Sequence, residues 1–94
     1  MLINKWEFSG EVVRLKDFGD GKGGNVLLRG ASNGSLIEVS SFLPEKEFQK
    51  IFSVEDYKFK MADIKGHFEI FVKETSGGNV KNSLKLIGEQ FAWI

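Results

Sequence analysis

Asp63-Ile64-Lys65-Gly66-His67-Phe68-Glu69-Ile70-Phe71-Val72-Lys73, running on to the turn Ser76-Gly77-Gly78-Asn79, decides the fold of this chain. Successive side chains of a strand point to opposite faces, so Ile64, Gly66, Phe68, Ile70 and Val72 share one side. Asp63, Lys65, His67, Glu69, Phe71 and Lys73 share the other. The pattern predicts a long, half-buried strand entering a hairpin. Phe71 is the exception, an aromatic ring among charges. It is either a cover for neighbouring structure or a dimer interface, or a platform for a flat ligand such as a nucleobase.

Working outward, residues 5–15 alternate with Trp6, Phe8, Gly10 and Val12 on one face, and Gly10 marks a bend or bulge. Core packing is the stronger reading of Trp6 and Phe8. The glycine-rich run of residues 17–24 reads as a turn into a second strand near residues 25–30. A third strand over residues 36–43 stops at Pro44, the only proline. Pro44 suits the first turn of a short helix, where Glu45 and Glu47 favour the positive end and Phe48, Ile51 and Phe52 form one buried face. The chain re-enters a strand from about residue 57. The last hairpin returns through Leu84, Leu86 and Ile87 towards Phe91 and Trp93, the latter capping the barrel or meeting another subunit.

Three strands, one short helix and two further strands are the order of an all-β, five-stranded OB-fold Greek-key barrel with its helix between strands three and four. An SH3-like barrel is the chief rival, and the helix position and long fourth strand favour the OB arrangement. With 94 residues there is one domain, spanning 1–94, around one core. The 41% hydrophobic and 28% charged residues place it among globular sequences rather than disordered ones.

The composition also excludes classes of function. Zero cysteines remove disulfides, thiolate nucleophiles and cysteine zinc sites, and fit a reducing cytoplasm. Neither a leader peptide nor a membrane-spanning run is legible, so a cytoplasmic protein without membrane contact is expected. His67 is the sole histidine and lacks partners for a usual zinc set, so no metal or cofactor is expected. Gly19-Asp20-Gly21-Lys22-Gly23-Gly24 lacks the ending and the following helix of a phosphate loop. Asp17, Asp20, Asp56 and Asp63 form no catalytic spacing, and no enzyme is expected.

Thirteen basic and thirteen acidic residues give zero formal charge, which argues against an electrostatic binder of duplex nucleic acid. Their distribution is uneven. Arg14, Lys16, Lys22 and Arg29 lie on or beside the first hairpin and Lys73, Lys81 and Lys85 in the last, while Glu45, Glu47, Glu55 and Asp56 gather between. Folding the two hairpins together would make a basic groove with an acidic back. Each cation alone has the alternative of an ordinary solvated charge.

Asn4-Lys5-Trp6-Glu7-Phe8-Ser9-Gly10-Glu11-Val12 resembles the opening strand of the single-stranded DNA-binding protein family of bacteria, phages and plasmids, with its primosomal relatives. Gly23-Gly24-Asn25-Val26, Glu38-Val39-Ser40-Ser41-Phe42-Leu43 and Lys65-Gly66-His67-Phe68 are similar to later family segments, each motif being loose. The resemblance implies a non-catalytic partner of single-stranded DNA that works as a homodimer or tetramer in replication, recombination or repair. It makes Phe42 a stacking ring, against the alternative that Phe42 packs on the helix. With Phe42 from the resemblance, Phe71 from its place in the alternation and the cations from the two hairpins, the expected nucleic-acid site comprises Arg14, Lys16, Lys22, Arg29, Phe42, Phe71, Lys73, Lys81 and Lys85. The second strand lacks the family's tryptophan and no acidic tail follows Trp93-Ile94, which points to a specialised member. A protein-interaction module using the same aromatic face is the alternative.

Overall fold

The computed structural model describes residues 4–94, excluding the side chains of Ser32, Phe71, Lys73, Lys81, Asn82 and Ser83. Its strands are β1 (Lys5–Asp17), β2 (Gly24–Ser32), β3 (Ser35–Leu43), β4 (Met61–Glu74) and β5 (Val80–Trp93). They close in the order β1-β2-β3-β5-β4, with β4 returning antiparallel to β1 and β3 meeting β5 in parallel at Phe42 and Ile87. A one-turn helix, α1 (Glu45–Phe48), lies between β3 and β4. This is the OB barrel expected from the order of elements.

Alternation supplies the core. Val12, Val26, Leu28, Leu43, Ala62, Ile64 and Phe91 point inward from the strands, and Phe48 and Ile51 close one end. Trp6 and Phe8 pack against this cluster as their spacing predicts. Trp93 is half-buried, edge-on to Phe91 at 5.1 Å, and its Nε1–H donates to the Lys50 carbonyl, so within the barrel it acts as a cap.

Four local expectations need correction. The bulge in β1 falls between Val12 and Arg14 rather than at Gly10. Gly10 serves close approach instead, since a Cβ there would lie 2.6 Å from the Arg29 carbonyl oxygen. Beyond Phe48 the chain tightens into a 3-10 turn (Gln49–Ser53). With three residues per turn, Ile51 stays in line with Phe48 while Phe52 rotates out and is 47% exposed. The fourth strand starts at Met61, because a turn at residues 57–60 with Phe59 at φ 68° precedes it. Finally, Ile70 and Val72 keep the parity of Ile64 but are each 69% exposed, because the β4–β5 hairpin outruns the barrel.

The acidic residues of α1 hold the barrel end together. Glu45 accepts from the Gly23 amide at 2.8 Å, and Glu47 accepts from the Phe91 amide at 3.0 Å. Burial pushes the Glu47 pKa up. Hydrogen bonds from Lys50 and the Phe91 amide, with the charges of Lys50 and Lys46, outweigh that and hold it below its ordinary value.

Candidate nucleic-acid interface

Register on the barrel wall puts one set of side chains outward. Lys16 and Arg14 of β1 stand opposite Asn25 and Leu27 of β2, which stand opposite Phe42 and Ser40 of β3. These residues line a trough. One hollow of about 390 Å³ is bounded by Asn25, Ser40, Phe42, Leu84, Lys85 and Leu86. The next, about 430 Å³, shares Asn25 and Ser40 and adds Arg14, Lys16 and Leu27.

At the first hollow stands a ring pair. Phe18 and Phe42 lie with centroids 6.2 Å apart and planes 13° from parallel. Lys16 Nζ is 6.0 Å from the Phe18 centroid and Lys85 Nζ is 5.3 Å from that of Phe42, so each ring carries a cation. Phe18 is held by its turn. Its amide donates to the Gly23 carbonyl, and Asp17 Oδ1 accepts from the Gly19 amide at 2.8 Å. Gly23 itself sits at φ 78°, where a Cβ would collide with the Leu43 carbonyl oxygen.

Of the residues expected from sequence, the structure brings Lys16, Phe42 and Lys85 together and sets Arg14 beside them. Arg29 lies further along the same face between Glu11 and Glu38, 3.7 Å from each, so part of its charge is already answered within the protein. Lys22 is exposed in the turn after β1. The side chains of Phe71, Lys73 and Lys81 lie outside the described residues.

Phe18 was not anticipated. The available signal was a phenylalanine in a glycine- and aspartate-rich turn, between Lys16 and Lys22, with no alternating pattern to bury it. Phe59, 57% exposed with Lys58 Nζ 5.7 Å from its ring centre, also escaped notice.

A larger concavity, about 640 Å³, lies elsewhere, among Lys5, Trp6, Glu7, Lys65, Glu89 and Gln90. Its one aromatic, Trp6, has its Nε1–H engaged by the His67 carbonyl at 2.8 Å. His67 lies between Glu69 and Glu89, and its hydrogen bond with Glu69, reinforced by Glu89 against partial desolvation, raises its pKa. Among the described residues, no group of three or more His, Cys, Asp or Glu is placed to hold a metal ion. Among them, too, no helix is long and apolar enough to cross a membrane.

No family model matches the chain, and no curated protein matches it in sequence. Solved structures match in fold. The mitochondrial single-stranded DNA-binding protein of S. cerevisiae is similar with a TM-score of 0.74 and 14% identity, over 100% of this chain and 97% of that one. The SSB of Plasmodium falciparum in complex with ssDNA gives a TM-score of 0.57 at 14% identity, over 100% and 95%. A small single-stranded DNA-binding protein of Mycoplasma pneumoniae gives 0.56 at 13%, over 97% and 93%. At these identities the likeness is one of fold, and the barrel described above is the one these proteins share.

Proposed function

We propose that this chain is a non-catalytic single-stranded DNA-binding protein acting in replication, recombination or repair, which stacks bases on Phe42 and Phe18 and follows phosphates with Lys16, Lys85 and Arg14. The observation that carries the reading is the near-parallel ring pair with a lysine over each ring, on the outer wall of an OB barrel. Every base has a π-face, so such a platform tolerates sequence, and unstacked strands alone offer those faces. The structural neighbours' own names agree with this reading. A cytoplasmic setting belongs to the proposal through the absence of cysteine.

Neither Trp6 nor Trp93 lines the trough, so anisotropy of labelled oligonucleotides is the suitable measurement. Binding to homopolymeric single strands is expected to strengthen with length and exceed binding to duplex of the same length. Equal affinity for both forms, or none for either at low salt, would sink the reading in favour of a protein-interaction module.

The homo-oligomer that belongs to the single-strand reading has one observation of its own. Ile70, Val72, Val80 and Leu84 share a face of the β4–β5 hairpin and are each more than 60% exposed. We assign this face to contact between copies of the chain, which would align several troughs and raise avidity. Light scattering is expected to report a dimer or larger. A strict monomer throughout the concentrations at which DNA is bound removes the assignment.

A further inference from the structure

The trough does not end at Arg14 and Leu27. Both also line a third hollow, about 460 Å³, with Arg29, Glu38, Lys58 and Phe59. The outer wall therefore carries one continuous path along β2, with the Phe18–Phe42 pair at one end and Phe59 at the other. The row holding Asn25 and Phe42 and the row holding Arg29 and Glu38 are four residues apart on β2, roughly 13 Å at about 3.3 Å per residue.

Phe59 is fixed where it stands. Its amide donates to the Val12 carbonyl at 2.7 Å, the Val12 amide donates to the Lys60 carbonyl at 3.0 Å, and Lys60 donates back to Tyr57. This stitches the turn onto β1 beside its bulge. A φ of 68° is the left-handed region, which a bulky side chain occupies only when its surroundings hold it there. The ring so held is 57% exposed and takes no place in the core cluster. The path between the two ends is cationic: Lys85, Lys16, Arg14 and Lys58 line it, and Glu38 is engaged by Arg29.

We infer that Phe59 and Lys58 form a second base-stacking stop, so that a single strand seated on Phe18 and Phe42 runs along the outer face of β2 and is gripped again at this turn. The inference rests on the single-strand reading above. It fits the several nucleotides that one OB barrel accommodates, about 4–16.

Anisotropy with an oligo-dT length series tests it, using the wild type, Phe59→Asn and Phe59→Trp. Asparagine tolerates the left-handed backbone and removes the ring. Phe59→Asn is expected to leave the shortest bound strands unaffected and to weaken longer ones about 5- to 150-fold, as the loss of one stacked base requires. Phe59→Trp is expected to keep full affinity, and its introduced indole to be quenched by long strands but not short ones. Full affinity of Phe59→Asn at every length, or an indole that no strand quenches, overturns the second stop while leaving the Phe42 site standing. A wild type that binds no oligonucleotide overturns the single-strand reading itself.

Discussion

Phe48→Ala is expected to cost about 3–5 kcal/mol of folding stability, the cost of emptying a buried phenylalanine site. Phe48 is fully buried where α1 closes the barrel, among Ile51 and the inward side chains of the strands, with Phe52 edge-on at 5.5 Å. A domain of this size has roughly 5–14 kcal/mol in total, so the variant forfeits a large share of it. Thermal unfolding followed by circular dichroism should show a fall of about 12–40 °C, at roughly 4–8 °C per kcal/mol. Phe52→Ala provides the contrast. Its ring is half outside, and removal should cost no more than about 1 kcal/mol. Comparable losses for the two variants would mean that the helix continues as α, with both rings on one buried face.

That contrast shows where the sequence stops being legible. Positions 48, 51 and 52 fit a buried α-helical face, and 48 and 51 fit a 3-10 turn equally well. The choice is made by how the turn packs on β5, where Trp93 reaches the Lys50 carbonyl and Glu47 the Phe91 amide. The barrel itself was readable because period-two alternation marks the strands that bury Val12, Val26, Leu28 and Ile64, and the helix between the third and fourth strands favours the OB order over an SH3-like one. Alternation carries no information about where that core ends. Ile70 and Val72 continue the pattern of Ile64 in sequence, yet the hairpin has left the barrel by then.

The site was legible in part for a related reason. Phe42, Lys16 and Lys85 belong to strands, and strand parity with a family likeness is enough to place them outward. Phe18 and Phe59 belong to turns, where no periodicity assigns a face. Hydrogen bonds over long sequence separations position Phe59, including its amide to Val12. Arg29 shows what parity and chemistry leave out. Its chemistry suits phosphate, but Glu11 and Glu38 come beside it only when β1, β2 and β3 pair. Its contribution to a salt-dependent affinity should therefore fall below that of a free cation.

Removal of both rings at the head of the trough is expected to have the largest effect on binding. Phe42→Ala and Phe18→Ala should each weaken a single-stranded oligonucleotide by about 1–3 kcal/mol, the usual worth of one base stacked on one ring. The rings are near-parallel and in contact range, so a base lying on one depends on the placement of the other. The double variant should accordingly lose less than the sum of the singles, the shortfall measuring their coupling. Neither ring touches phosphate, so the slope of log affinity against log salt should stay as in the wild type. Lys85→Ala should behave differently, lowering affinity and flattening that slope by about 0.7, the value for one single-strand phosphate contact. Thermal unfolding of each variant separates binding from folding: Phe18 is 41% exposed and Phe42 half-buried, and both lie outside the core cluster. Melting should shift little. If the ring variants bind with undiminished affinity while Lys85→Ala does not, the trough holds its ligand by charge alone, and the aromatic pair is only a lid over the end of β3.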